Sequence, residues 1–367
     1  MDQERYTEQV TEGYGYRKKQ KDEFEALIER MRNDSAAKRT AFFQPSTASV
    51  AAYEQDARRM RVQVKNMLGW PLGEEYAADF QSPPDVKGVP EANVIYVSKD
   101  ALGSIYRVEV AAGYGLTTYG ILFLPHTPGP YPLAISQHGG GGTPELCSGF
   151  YGDNNYNDMT RRVLEQGVAV FAPQLILWND TYGPEHQRNV YDNQLKHLGS
   201  SITAVEIFKI QRALDYLTSR PDIDPSKIGM IGLSYGGFYT LYTAALDTRI
   251  KAAYSSCFIN NRFVIDWPDF TWFNAGNRFL DAEIGALIAP RHLYLEVGIR
   301  DELFQYAHAR PEIDKIAALY QKLNIAHRFY AKAFDGEHEL DLANDGIESF
   351  CNVLKGDSGI AHFPEQD

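Results

Sequence analysis

The stretch Gly229 to Tyr242, GMIGLSYGGFYTLY, limits the fold more than any other part of this chain. Apolar residues run up to Leu233, one serine stands between Gly232 and Gly236, and an apolar run then resumes. Such a pattern predicts a buried strand that turns sharply at Ser234 and enters a helix. In so tight a turn the positions two before and two after the serine must be nearly bare, because a Cβ at either would strike the neighbouring strand or helix. The turn lifts the serine hydroxyl above the carboxyl ends of the strands and sets the Tyr235 amide at a helix start.

A hydroxyl in that position is a poor nucleophile unless a base takes its proton and amides stabilise the oxyanion it creates. The sequence offers a candidate for each part. The base is His338 in FDGEHEL, directly after the strand-like HRFYAKAF, with Gly336 to bend the loop. A zinc reading of His338-Glu339 fails, since the second histidine of H-E-x-x-H is replaced by Leu342. The carboxylate is Asp301 in LYLEVGIRDELF, at the end of another strand, with Glu302 as its rival and a helix N-cap as the alternative role. The oxyanion donors are the Tyr235 amide and one from LAISQHGGGG, where Gly139 or Gly140 brings its N–H close to a substrate oxygen. His138, beside them, reads as a structural residue bonding within that loop.

The remainder of the chain supplies the scaffold for this arrangement. Residues 1–90 read as a helical extension, with helical spacing in FEALIERM and from Ala48 to Leu68, ended by a breaker-rich stretch, Gln81 to Pro90. Residues 91–367 form the second unit. NVIYVS, SIYRVEV and TTYGILFLP are β-rich runs that predict antiparallel strands. From Pro132 onward strands and helices alternate. LAIS and VAVFAP are continuous apolar runs, as in strands buried on both faces. In the helix expected over Ser201–Arg220, Ile207, Ile210, Leu214 and Leu217 share one stripe. This alternation predicts an α/β fold with a doubly wound, mostly parallel sheet.

Composition narrows the function classes. A net charge of −12 repels phosphate backbones and anionic lipid, which argues against nucleic-acid and membrane-surface partners. The basic cluster Arg17-Lys18-Lys19 with Lys21 sits among acids and reads as a solvated helix face. Three scattered cysteines, Cys147, Cys257 and Cys351, form neither a disulfide framework nor a zinc site. The polar first twenty residues lack a signal peptide's apolar core, and no apolar run approaches the ~18 residues of a membrane span, so a cytoplasmic protein is expected.

Taken together, LAISQHGGGG, RALDYLTSRPDIDPSKIGMIGLSYGG, ALDTRIKAAYSSC, APRHLYLEVGIRDELF and GEHEL resemble the α/β-hydrolase superfamily. Within it the resemblance is to the dienelactone-hydrolase-like and acetyl-xylan-esterase-like group, and it covers Ile105 to Gly356. The order Ser234, Asp301, His338 is that of the superfamily. The resemblance implies acyl transfer to water through an acyl-serine, without a metal or organic cofactor. Dienelactone hydrolases use a cysteine where this chain has Ser234, which points to ordinary esters, and the minimal fold lacks the N-terminal extension.

The loops after Pro173 and after Phe258 are expected to overhang the site and to bring Trp178, Trp267 and Trp272 with several Asn and Asp residues, a mixture suited to a sugar ring. A small-molecule or carbohydrate ester is therefore the expected substrate. Ser234-Tyr235-Gly236 also resembles prolyl-oligopeptidase-type domains, but a gating propeller takes about 40–45 residues per blade over at least four blades, and too little chain precedes the strands. A non-catalytic binding protein is the other alternative. The extension packs as a helical layer, caps the cleft or makes a homo-oligomer contact; the sequence leaves these open.

Overall fold

The computed structural model describes residues 5–73, 86–176, 187–265 and 267–356. Nine strands form one sheet: β1 (Ala92–Lys99), β2 (Gly103–Gly113), β3 (Leu116–Pro125), β4 (Tyr131–Gln137), β5 (Ala169–Pro173), β6 (Ile223–Leu233), β7 (Ile250–Ser256), β8 (His292–Gly298) and β9 (Phe329–Phe334). Their spatial order is β1-β2-β3-β5-β4-β6-β7-β8-β9. The β1, β2, β3 and β5 pairings are antiparallel. Every pairing from β5 through β4 to β9 is parallel. The strands and their two regimes, antiparallel then parallel, agree with the sequence reading. All five residues of β5 are buried, as its unbroken apolar run requires.

The helices, in chain order, are α1 (Tyr14–Phe42), α2 (Val50–Leu68), α3 (Pro144–Cys147), α4 (Met159–Glu165), α5 (Arg188–His197), α6 (Ile202–Leu217), α7 (Tyr235–Leu246), α8 (Asp281–Ala286), α9 (Tyr306–Lys322) and α10 (Asp345–Lys355). In α6 the expected stripe of Ile207, Ile210, Leu214 and Leu217 is buried, and Ser201 caps the helix by accepting from the Ala204 amide at 3.1 Å. The sheet therefore carries buried apolar residues on both faces, one shared with α2, α6, α7, α8 and α9, the other with α4 and α10.

The two N-terminal helices differ. α2 belongs to the core: Tyr53, Ala57, Val64 and Leu68 are buried, and Arg61 donates to the Ala245 and Leu287 carbonyls at 2.8 Å each. Those carbonyls lie at the ends of α7 and α8, where a guanidinium satisfies orphan acceptors. α1 is buried only at Ser35 and Arg39, near its C-terminal end, where Arg39 pairs with Glu283 at 3.2 Å. Phe24 and Met31 remain more than half exposed, so the helical spacing of FEALIERM does not mark a core-facing stripe. The basic cluster is solvated as expected, with Lys18–Asp22 and Lys21–Glu25 pairs one helical turn apart. No helix among the described residues is long and apolar enough to cross a membrane. All three cysteines are free and buried.

Candidate active site

The site lies at the carboxyl ends of β4, β6, β8 and β9, where an open parallel sheet presents its loops. Ser234 follows β6 with φ 61° and ψ −124°, a conformation that L-residues rarely adopt. Its amide donates to the Ser256 carbonyl of β7 at 3.0 Å, and its carbonyl accepts the Phe238 amide at 2.9 Å, so strand and helix fix the turn from both sides. The two flanking glycines are sterically compelled. A Cβ on Gly232 would come within 2.4 Å of the Gly236 backbone, and one on Gly236 within 2.0 Å of the Gln137 carbonyl oxygen.

His338 follows β9, and its Nδ1 lies 2.8 Å from Asp301 Oδ2. The loop that carries it passes over β8 at Gly298, where a Cβ would meet the Glu337 carbonyl oxygen at 2.1 Å. The imidazole packs against Phe304, with ring centroids 5.5 Å apart and planes 23° from parallel. Asp301 does not cap a helix, since α9 begins at Tyr306 with Gln305 as its N-cap; its two carboxylate oxygens instead divide between the histidine and a local turn. Oδ2 faces the histidine, while Oδ1 accepts the Leu303 and Phe304 amides at 2.8 and 2.9 Å. Burial opposes ionisation of Asp301, but His338 and those two amides outweigh it and hold the carboxyl below its ordinary range. Glu302, the sequence rival, is exposed. Ser234 Oγ makes no hydrogen bond to a described residue.

Ser234 and His338 share one cavity of about 540 Å³, walled also by Gly139, Gly140, Asn155, Tyr156, Arg188, Tyr235 and Trp267. The glycine loop settles which candidate amide is available. Gly139 N–H already donates to Tyr156 Oη at 2.6 Å, whereas the exposed Gly140 amide has no partner among the described residues. Gly139 is thus displaced as a donor by its own bond. His138 is fully buried; its Nδ1 bonds the Gly139 carbonyl at 2.8 Å and its Nε2 accepts the Leu175 amide at 2.9 Å. Burial lowers its pKa to about 4, so the ring is neutral and anchors the loop.

Of the three tryptophans expected over the site, Trp267 stands on the cavity wall, its ring stacked on Tyr235 at 5.6 Å and 14°. Trp272 does not. It is 7% exposed and packs into the core against Phe238 and Tyr242, so its placement corrects the sequence expectation. A tryptophan near polar residues in sequence still packs inward when a large apolar pocket is open to it. Trp178 lies outside the described residues.

The sequence reading missed a buried polar network beneath the cavity. Arg188 Nε donates to Asp269 Oδ2 at 3.0 Å, and Tyr235 Oη donates to Asp269 Oδ1 at 3.0 Å. The network tethers Tyr235, the residue that follows Ser234. Its members lie 34 to 81 positions apart, so no local pattern reveals them.

One further carboxyl lies on β8, buried beside β7. Glu296 of β8 is fully buried and accepts from Tyr254 Oη, Ser256 Oγ (2.7 Å) and the Asp341 amide (3.1 Å). Burial raises its pKa to about 7 despite those three donors. Because the folded-state value exceeds the unfolded one, the stability this group confers is complete at low pH and is lost as pH rises through about 7. Between pH ~5 and ~8 the wild type is therefore expected to lose stability relative to Glu296→Gln. Thermal melts of both proteins at the two pH values check this, and identical pH trends would contradict it.

Cys257, Asp301 and His338 bring potential ligand atoms within 4.8 Å of one another. The Asp301–His338 bond engages two of them, and the Cys257 thiol bonds the Glu339 carbonyl at 3.2 Å, with burial pushing its pKa well up.

The strand order and the strained serine turn at the carboxyl edge define an α/β-hydrolase fold. Residues 147–256 match the model of the dienelactone hydrolase family, inside the stretch that carries the sequence resemblance. YtaP of Bacillus subtilis (strain 168) is 32% identical over 193 residues, 48% of this chain and 62% of that protein. The acetyl esterase Axe7A of Xylanibacter ruminicola is 26% identical over 177 residues, 47% of this chain and 38% of that protein. The chain thus spans less than two thirds of the length of both relatives. Among solved structures, a glucuronoyl esterase from Solibacter usitatus aligns with a TM-score of 0.61 at 13% identity, over 85% of this chain and 95% of that one.

Proposed function

We propose that this protein hydrolyses carboxylic esters through an acyl-serine on Ser234, with His338 as base and Asp301 as its orienting carboxylate. The observation that carries the reading is the 2.8 Å His338–Asp301 contact on the rim of the cavity that Ser234 enters in a strained turn. Asp301 engages Nδ1, which leaves Nε2 on the far side of the ring for the serine proton. As Ser234 Oγ attacks, the carbonyl π pair moves to oxygen and the serine proton passes to His338. The Gly140 and Tyr235 amides hold the oxyanion. The alcohol leaves with the proton from His338, and water repeats the sequence on the acyl-enzyme.

For the alcohol portion we propose an acylated carbohydrate. Trp267 offers an aromatic face on the cavity wall, with Asn155, Gln187 and Asn189 beside it to bond hydroxyls. Partial identity to an acetyl esterase supports an acetyl group. The test is a panel of acetylated sugars, aryl acetates and peptide anilides, together with fluorophosphonate labelling. Hydrolysis of the acetates and labelling at Ser234 are expected. Labelling without ester turnover, or turnover of anilides alone, would refute the esterase reading.

A further inference from the structure

We propose that Tyr156 is a further catalytic residue, whose phenol donates a third hydrogen bond to the oxyanion. The inference rests on the acyl-serine reading above.

Tyr156 stands on the segment between α3 and α4 and lines the same cavity as Ser234, Gly140 and His338. Its Oη accepts the Gly139 amide at 2.6 Å. The position a Cβ on Gly139 would take lies 3.1 Å from Ser234 Cβ and 3.3 Å from Tyr156 Oη, so nucleophile and phenol flank one glycine. A Cβ on Gly142 would come within 2.5 Å of the same oxygen, so the glycine loop wraps it closely.

The phenol oxygen accepts a bond, but its own O–H has no acceptor among the described residues, although the residue is only 3% exposed. A buried donor left unspent is costly and rare. An oxygen that becomes negative in the adjoining cavity would spend it. Accepting the Gly139 N–H also polarises the phenol and makes it a stronger donor. Burial raises the phenol pKa well above its ordinary value, so the proton remains in place at any working pH.

The neighbouring residues fix the backbone that carries the phenol. Asn154 Oδ1 accepts the Tyr156 amide at 2.9 Å, and Asn155 Nδ2 donates to the His338 carbonyl at 3.1 Å. One short segment therefore ties the oxyanion side of the site to the base. In the attack step the Ser234 Oγ–carbon bond forms, the serine proton goes to His338, and Tyr156 donates only a hydrogen bond, keeping its proton.

Tyr156→Phe is expected to lower kcat by about 10²-fold, the loss typical of one such donor, with KM within about twofold of wild type. Since this change also removes the acceptor of the Gly139 amide, a second variant separates donation from loop support. Incorporation of 3-fluorotyrosine at position 156 keeps the hydroxyl and its geometry but makes it a stronger donor, and is expected to raise kcat. A kcat for Tyr156→Phe within about twofold of wild type would overturn the proposal. So would a kcat unmoved by 3-fluorotyrosine, which would leave Tyr156 as a support for the loop. A wild type that turns over no ester overturns this inference together with the esterase reading. Wild-type turnover with insensitive Tyr156 variants overturns this inference alone.

Discussion

Ser234→Ala is expected to lower ester turnover by about 10⁶-fold and to abolish fluorophosphonate labelling, while leaving the melting temperature nearly unchanged. The stability half of the prediction follows from the geometry. Ser234 Oγ bonds no described residue, so its removal orphans no partner. Alanine keeps the Cβ and therefore the same backbone strain at φ 61°. The activity half follows from the proposed mechanism, in which the acyl-enzyme forms on Oγ, so that only the oxyanion amides and substrate binding would remain. His338→Ala should cost a similar factor, and the double variant no more than either alone, because nucleophile and base act as one unit. Rate measurements on all three with an aryl acetate decide the matter. Near-full turnover by Ser234→Ala, or additive losses in the double variant, would refute the assigned roles.

How legible the site is in the sequence depends on the reach of the force that shapes it. The serine turn is legible because steric exclusion acts within five residues. A side chain on Gly232 would strike the Gly236 backbone across the turn, so that half of G-x-S-x-G is a local demand, while Gly236 answers to β4. Asp301 and His338 are legible at one remove, because each follows an apolar run that reads as a strand and parallel strands end at one edge. The sequence does not resolve Gly139 from Gly140, since the difference is a bond to Tyr156, 17 residues away. Arg188 and Asp269 meet only through tertiary packing, and nothing in YGPEHQRN or WPDFTW marks the partnership. Trp267 and Trp272 stand five residues apart in one segment, yet Trp272 fills the core and Trp267 faces the cavity. Composition gives a helix its period but not its neighbour: α1 has the spacing of a buried helix and lies largely exposed.

The second large effect is expected at Gly236, and its sign opposes local propensity. Glycine near the start of a helix is a weak helix former, and replacement by alanine ordinarily stabilises a helix by up to ~1 kcal/mol. Gly236→Ala is instead expected to destabilise the protein by on the order of 4 kcal/mol or more. The new Cβ would lie 2.0 Å from the Gln137 carbonyl oxygen and 3.0 Å from that of His138, both main-chain atoms. Neither can rotate away as a side chain would. β4 is hydrogen-bonded to β5 on one side and to β6 on the other, so relief requires breaking a parallel ladder at the centre of the sheet. The same displacement would move the start of the glycine loop and with it the Gly140 amide, so any folded fraction should also be inactive. Gly141→Ala provides the control, because a Cβ there meets nothing within 4 Å and only the φ of +69° is unfavourable, at about 1–2 kcal/mol. Denaturant unfolding of the two variants measures the difference. If Gly236→Ala were no less stable than Gly141→Ala, close approach between the α7 start and β4 would not be what compels glycine at position 236.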